Sequence, residues 1–296
     1  LSNAILQGVS LYSADLSNAD LSGADLSGSS MYQANLSNAD LSGADLSHTQ
    51  IYKAKLINTN FIHANLSYAN LCGAHVETFD FTGVDFSYTD FDHAYLNNAI
   101  LKDATVKHTN FHDSTLTKVN LSGKDLTGTI LTGADLSNSI LDGVDLSDKD
   151  LTGTILTGAD LSNTNLTGID LSGRDLTGNL LVGVDLSDKD LTGTILTGAD
   201  LSNTNLTDID LSGRDLTGTL LVGVDLSDKD LTDTILIGAD LSNSILDGVD
   251  LSGKDLTGTI LAGVDLSGKD LTGTILRKAD LSNTNLTDID LSGRDL

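Results

Sequence analysis

Two aspartates and two histidines give the sequence one arrangement with the residue types of a metal site. Asp92 and His93 recur twenty residues later, in reversed order, as His112 and Asp113. Imidazole nitrogen and carboxylate oxygen are both ligands of zinc and other divalent transition ions. We nevertheless expect no metal here, because all four side chains are predicted to face solvent and nothing in the sequence holds them in a fixed geometry.

Serine, histidine and aspartate, the components of a hydrolytic triad, also occur together in the chain. Serine recurs throughout the sequence, however, and no spacing singles out a nucleophile, a base and a group that orients the base. A repetitive core filled with side chains also leaves no pocket for a substrate. The sequence therefore predicts a protein that is not an enzyme, with no catalytic residue and no bound cofactor. Binding of calcium or another cation at the surface is the one option left open.

The element that must position these side chains is a five-residue repeat. An apolar residue, here termed the centre, occupies every fifth position from Leu1 to Leu296. Five residues do not fit the helical period of 3.6 or the strand period of two, so neither element would keep the centres on one face. A chain that bends once per repeat brings every centre into one interior, as in a solenoid. All 29 glycines lie two residues after a centre and mark that bend, because glycine tolerates the positive φ of a tight turn.

The repeat resembles the A(D/N)LXX motif of the pentapeptide repeat family, in segments such as Ala14-Asp15-Leu16 and Ala34-Asn35-Leu36. The resemblance covers the whole chain. It implies an all-β fold, a right-handed quadrilateral parallel β-helix with four repeats in each coil, in which the centre and the residue two before it point inward. The 296 residues would then form about fifteen coils, and residues twenty apart would lie over one another.

The sequence changes character near residue 120, and we expect one continuous solenoid with two segments. Residues 1–120 are a diverged array that contains all six Phe, all six Tyr and all six His. Residues 121–296 are homogeneous and carry a forty-residue unit: residues 146–185 and 186–225 differ only at Gly168/Asp208 and at Asn179/Thr219. Since forty residues make two coils, alternate coils are expected to differ.

Outward aromatic residues twenty apart predict stacked ladders in the first segment. One ladder consists of Tyr12, Tyr32 and Tyr52, and a second of His48, Tyr68, Tyr88 and His108. Stacking would stabilise neighbouring coils, and an exposed aromatic stripe could also dock a partner protein; the sequence leaves both interpretations open. Phe79, at an inward position that is usually Ala, predicts a local bulge.

Three outward columns stand out in the second segment. An unbroken acidic column consists of Asp150, Asp170, Asp190, Asp210, Asp230, Asp250, Asp270 and Asp290. It predicts a solvated face that opposes aggregation, with a ladder for cations such as calcium or a basic protein partner as alternatives. Two rows carry an apolar residue on every second coil: Ile155, Ile195, Ile235 and Ile275 in one, and Ile140, Leu180, Leu220 and Ile260 in the other. We interpret the rows as a lateral contact surface, with simple β-propensity as the alternative.

Lysine and arginine occupy inward positions, against the family's preference for small residues. These positions are Lys124, Lys149, Arg174, Lys189, Arg214, Lys229, Lys254, Lys269 and Arg294. A buried cation without a partner is costly. We therefore expect these side chains to reach solvent and pair with a nearby Asp, or the wall of the solenoid to open locally.

The net charge and the two ends of the chain indicate which kind of partner the protein binds. The net charge of −26 makes nucleic acid and anionic membranes poor partners and basic proteins better ones, and no apolar run approaches the length of a membrane span. The chain begins and ends on a centre, without a helical pattern that would cap the solenoid. This predicts either a piece of a longer protein or ends covered by another copy.

We therefore expect a non-enzymatic structural solenoid that associates with copies of itself, end to end or laterally, into a filament or surface layer. The resemblance implies two alternatives: an acidic mimic of DNA that acts on DNA gyrase and gives quinolone resistance, or a signalling or targeting solenoid of the cyanobacterial type. The single Cys72 leaves the compartment undecided, and a surface layer favours the cell surface or the outside of the cell.

Overall fold

A computed structural model describes residues 1–292, and in it almost every five-residue repeat forms the same unit. The centre is followed by two turn residues, an inward residue and a residue that usually forms a parallel bridge. Residues 1–292 contain no helix, and their strands are single bridging residues. Arg294, one of the expected inward cations, lies outside the described residues.

The bend of each repeat is a tight turn. The N–H of Ala14 donates to the carbonyl of Leu11 at 3.0 Å, and Ser13 between them has φ of 55°. A positive φ at the third turn residue is typical of a type II turn. Gly23 and Asn18 hold the same position with φ of 63° and 60°, which confirms that Gly and Asn mark the bend.

Four repeats make one coil, because bridges join residues twenty apart. Each coil has four walls, which we name by their bridging columns. Wall A contains Asp25 and Asp45, wall B contains Ser30 and Gln50, wall C contains Asp15 and Asn35, and wall D contains Asp20 and Asp40. The twenty-residue coil expected from the repeat is confirmed.

The interior is filled by the centres and by the residues two before them. Leu21 and Ala24 are fully buried, and the largest buried side chains are Phe61, Phe81, Phe86, Phe91 and Phe111. Buried Thr residues bond to the main chain: the hydroxyl of Thr59 donates to the carbonyl of Leu36 at 2.9 Å. An inward polar residue is therefore tolerated where a carbonyl of the preceding coil accepts its proton.

The chain divides into two compact units, Leu1–Leu156 and Thr157–Leu296. In the first unit, all four walls carry bridges over most coils. In the second unit, wall D is bridged on every coil from Asp160 to Asp280. The division near residue 120 that composition suggested remains a prediction.

Walls A and C of the second unit are bridged only on alternate coils. The bridges join 185 to 205, 225 to 245 and 265 to 285 on wall A, and 175 to 195, 215 to 235 and 255 to 275 on wall C. Wall B forms no bridge at Asp170, Asp190, Asp210, Asp230 or Asp250. The coils are therefore associated in pairs, and each pair is one forty-residue unit of the sequence.

The inward lysines of wall B account for its missing bridges on alternate coils. The ammonium of Lys189 donates to the carbonyls of Leu166 at 2.7 Å and Ile169 at 3.3 Å in the preceding coil. Lys269 does the same with Leu246 and Val249, at 2.6 Å and 3.2 Å. These side chains are half-buried. The wall opens locally, as expected, and backbone carbonyls accept the hydrogen bonds of these lysines. Pairing with Asp remains a prediction.

Phe79 interrupts the bridges of wall D at one point in the first unit. Its ring packs on Phe61 and Phe81, with centroids 6.3 Å and 5.6 Å away, and it remains half-buried. Asn60 and Asp80, which would otherwise bridge, are not joined, although each bridges on its other side. The predicted local bulge is confirmed, because the ring is too large for a site that usually holds Ala.

Candidate functional site

The two apolar rows lie on adjacent walls, C and D. Each member directly precedes a buried centre, so its side chain points away from the core. In the first unit, Ile140 and Ile155 are exposed; in the second, so are Leu180, Ile195, Leu220, Ile235 and Ile275, with exposed fractions of 38–47%. Ile260 is half-buried. On wall D of the second unit, the unbroken bridges hold Leu180, Leu220 and Ile260 at a constant interval of two coils.

Aspartate separates the apolar residues within each row. Asp175 bridges to Ile195 on wall C, and its carboxylate accepts hydrogen bonds from the Thr177 N–H at 3.0 Å and hydroxyl at 2.6 Å. The hydroxyl first, and then the N–H, hold the pKa of Asp175 below its usual value. The two walls therefore alternate apolar and ionised side chains from coil to coil.

The acidic column runs along wall B. The Asp190 carboxylate accepts the Thr192 N–H at 2.7 Å, and its pKa is lowered, first by the Thr192 hydroxyl. Each carboxylate thus turns toward its own repeat. Within residues 1–292, groups of three side chains that could jointly hold a metal ion occur only at Asp92, His93 and His112. The cation ladder, an alternative interpretation of the column, remains a prediction.

The aromatic ladders of the first unit are stacked as predicted. Centroids are 4.6 Å apart for His48–Tyr68 and Tyr68–Tyr88 and 4.4 Å for Tyr88–His108, with planes within 11° of parallel. Tyr12–Tyr32 and Tyr32–Tyr52 are 5.5 Å and 5.7 Å apart. We did not predict the stack of His75 on Tyr95 at 4.4 Å, although the same twenty-residue rule would have found it.

The longer ladder occupies corners with an unfavourable backbone conformation. The φ angles of His48, Tyr68, Tyr88 and His108 are 55–61°, a region that bulky residues rarely adopt. Glycine holds the same corner without strain at many other repeats. Stacking, on both sides for Tyr68 and Tyr88 and on one side for His48 and His108, offsets this cost; a docking role for the stripe remains a prediction.

The His and Asp side chains of the first unit converge at the corner of two coils. The Nδ1–H of His112 donates to Asp92 Oδ1 at 2.7 Å. His93 lies 3.7 Å from both Asp92 and Asp113, and His112 Nδ1 is 3.6 Å from Asp113. The hydrogen bond that His112 donates to Asp92 is the main cause of a raised pKa at His112.

Cys72 also belongs to this group of side chains, which sequence reasoning missed. Its thiol points at Asp92 Oδ2, with 3.9 Å between sulfur and oxygen, and burial is the main cause of its raised pKa. Cys72, Asp92 and His112 follow three successive centres of one column. The twenty-residue spacing was therefore the signal that could have identified it.

Comparisons with known proteins come from a family profile and from solved structures. The profile described as pentapeptide repeats matches residues 1–173, 175–213 and 215–293 in overlapping segments. No curated protein matches the sequence. Within the described residues there is also no helix that combines the length and the apolar character needed to cross a membrane.

Several solved structures are similar to the chain. One is QnrB1, a plasmid-mediated fluoroquinolone resistance protein, at 18% identity over 73% of this chain and 90% of that one, with a TM-score of 0.33. Another is HetL of the cyanobacterium Nostoc sp. strain PCC 7120, involved in heterocyst differentiation regulation, at 26% identity over 95% and 90%, with a TM-score of 0.18. A third is Rfr23 of the cyanobacterium Cyanothece 51142, at 23% identity over 47% and 89%, with a TM-score of 0.12.

Proposed function

Because this chain belongs to the pentapeptide repeat family, whose repeats build the right-handed quadrilateral parallel β-helix, we propose that it is a structural solenoid that associates laterally with copies of itself. The contact surface is formed by walls C and D of the second unit. Its function is interaction and not catalysis, as is general in this family. End-to-end association into a filament remains an expectation from the sequence.

The observation that supports this proposal is the forty-residue spacing of exposed Ile and Leu on two adjacent walls. Ile195 and Ile235 are 47% and 44% exposed and lie two coils apart, as do Leu180 and Leu220 on the next wall. Two coils correspond to about 10 Å. A second copy has the same interval, so that all members of a row can meet their counterparts at once. A partner without that period would match one position and miss the next.

Charge limits the strength of this contact. Completing the burial of one half-exposed Ile contributes about 1 kcal/mol, so several must act together. Repulsion between chains of net charge −26 opposes them, and salt screens this repulsion over about 10 Å at 0.1 M. Wall B, with its ionised column, is unfavourable for self-contact. Association is therefore expected through walls C and D and should strengthen with salt.

Sedimentation velocity and electron microscopy at low and high NaCl concentration test the proposal. We expect lateral assemblies that grow with protein concentration and with salt. Replacing Ile195, Ile235 and Ile275 by Asp should abolish them, and the repeat should tolerate this change because Asp175 holds the equivalent position on the alternate coil. The charge-matched control replaces Ile130, Ile237 and Ile245, which are exposed but lie outside the rows, and should assemble like the wild type.

Two results would reject lateral association. One is a monodisperse wild-type protein at every salt and protein concentration. The other is assembly of the row variant to the same extent as the control variant.

A second candidate, action on DNA gyrase as an acidic DNA mimic, rests on wall B. Its Asp column is unbroken, and turn hydrogen bonds lower the pKa of members such as Asp170, Asp190 and Asp230, which favours ionised carboxylates at physiological pH. A gyrase supercoiling assay tests this candidate. Inhibition that is lost when the column is changed to Asn supports it, and no effect at micromolar protein rejects it.

A further inference from the structure

The geometry of Asp92, His93 and His112 in the first unit points to a binding site, and we propose that these side chains bind a divalent transition ion such as Zn²⁺. One ligand atom from each lies within 4.8 Å of the others. This inference is independent of self-association, since the rows of the second unit contribute nothing to it. It departs from the expectation from sequence that no metal binds here.

The spacing of the ligand atoms suits one ion. His93 Nε2 is 3.7 Å from Asp92 Oδ2. If an ion forms bonds of about 2.1 Å to both atoms, the angle between the two bonds is roughly 120°, close to the tetrahedral geometry of zinc. His112 Nδ1 and Asp92 Oδ1 are closer, at 2.7 Å, and must separate slightly to admit the ion.

The backbone supplies the fixed geometry that the sequence did not reveal. The N–H of His93 donates to the carbonyl of His112 at 2.9 Å, which joins the two corners directly. Beneath them, the buried rings of Phe91 and Phe111 stack with centroids 5.7 Å apart and planes within 4°. The two corners therefore have a defined separation before any ion binds, and this reduces the entropic cost of assembling the ligands.

The ligand types select the class of ion. Two imidazoles and a carboxylate favour zinc and its neighbours among the transition metals, whereas calcium and magnesium prefer oxygen ligands alone. Water can complete the coordination because the three ligand side chains are 29–60% exposed.

Calorimetric titration of the full chain, prepared without an affinity tag, with ZnCl₂ tests the site. We expect one Zn²⁺ per chain and no competition from excess Ca²⁺. The double variant His93→Ala/His112→Ala should weaken binding by at least about 100-fold, and Asp92→Asn by about 10–100-fold. The control is His63→Ala, which removes an exposed histidine from the same corner position of another repeat and should leave the affinity unchanged within about twofold.

Two further measurements make the result specific. Co²⁺ should give the intense visible absorption of tetrahedral coordination in the wild type and in Cys72→Ser, and not in the double variant. Circular dichroism checks that each variant keeps its β-helix. The proposal is overturned if Zn²⁺ does not bind, if the folded double variant binds as tightly as the wild type, or if Ca²⁺ displaces Zn²⁺ at comparable concentration.

Discussion

The unit with the more varied sequence has the more complete ladder of bridges between coils. The first unit has a varied sequence, and bridges join its coils on all four walls over most of its length. The second unit has nearly identical repeats, and its ladder of bridges is complete only on wall D. A homogeneous repeat does not guarantee a homogeneous sheet. On wall B, the ladder is interrupted where lysine holds the inward position.

Lysine at an inward position replaces a backbone donor with a side-chain donor. In the first unit, the N–H of Asp90 donates to the carbonyl of Ala69 on wall B. In the second unit, the Lys189 ammonium donates to the corresponding carbonyl of Ile169. Wall D carries no inward cation in this unit and stays bridged. Wall A carries none either, yet it is bridged only on alternate coils, so an inward cation on the same wall is not required for a missing bridge.

Placing a cation in a bridged part of the first unit, away from its own inward Lys124 and Lys149, should have the largest effect on this comparison. Ala69→Lys would direct an ammonium at the carbonyls of Leu46 and Thr49, which already accept hydrogen bonds from Thr49 and Asn70. We expect the free energy of unfolding to fall by about 3–5 kcal/mol, the cost of a buried charge without a partner. Urea denaturation measures it.

The control for this change is Ala69→Thr, because Thr49 and Thr89 already occupy the same column. Its stability should lie within about 1 kcal/mol of the wild type. Equal stability of Ala69→Lys and Ala69→Thr would show that wall B accepts an inward cation in the first unit as well as in the second.

The reverse change removes a cation from the second unit. Lys189→Met keeps the length of the side chain but leaves the Leu166 and Ile169 carbonyls without their ammonium donor. We expect a loss of about 1–3 kcal/mol in unfolding free energy. Lys278→Met, at an exposed corner, is the control. A stability gain in Lys189→Met, with slower hydrogen exchange of the Asp190 amide, would mean that the backbone ladder closes by itself.

A smaller effect should distinguish stacking from backbone strain at the aromatic corners of the first unit. In a double-mutant cycle of Tyr68→Asn and Tyr88→Asn, the backbone terms cancel and the stacking energy remains. We expect a coupling of about 0.5–1.5 kcal/mol, measured by denaturation. A cycle of Tyr88 with Tyr12, which belongs to the other ladder, should give none. A coupling of zero for the first pair would leave the stack without a stabilising role.

Acid should weaken both units through the same turn carboxylates. The pKa of Asp175 and Asp255 is lowered in the folded chain, first by the hydroxyls of Thr177 and Thr257. Because the pKa is lower in the folded chain, these carboxylates stabilise the fold at pH values above their ordinary pKa of 3.8. This stability is lost as the pH falls toward the folded-state pKa. Melting temperatures should therefore drop from pH 5 to pH 2 by thermal denaturation.

Asparagine provides the matched control for this acid effect. Asn35 and Asn65 already accept the N–H of their own turns, at 3.2 Å and 3.0 Å. Changing Asp175 and Asp255 to Asn should keep that bond, remove the titration and flatten the pH profile. A profile as steep as that of the wild type would place the acid sensitivity elsewhere.

Much of the fold could be predicted from residue spacing because each repeat is a local turn with one buried centre. The same spacing predicted the Tyr68–Tyr88 stack, since residues twenty apart must lie on consecutive coils. It was less informative about Lys189 and His93. The partners of an ammonium or an imidazole depend on distances of a few ångström, which periodicity does not set.

The five-residue period is enough to specify the coil, its corners and which residues face the interior, because burial of Leu and the φ tolerance of Gly and Asn act within one repeat. The pairing of coils in the second unit and the convergence of Asp92 with His112 arise only when coils lie on one another. Competition between amide and ammonium for the same carbonyl, and the approach of side chains from different coils, are properties of the assembled walls.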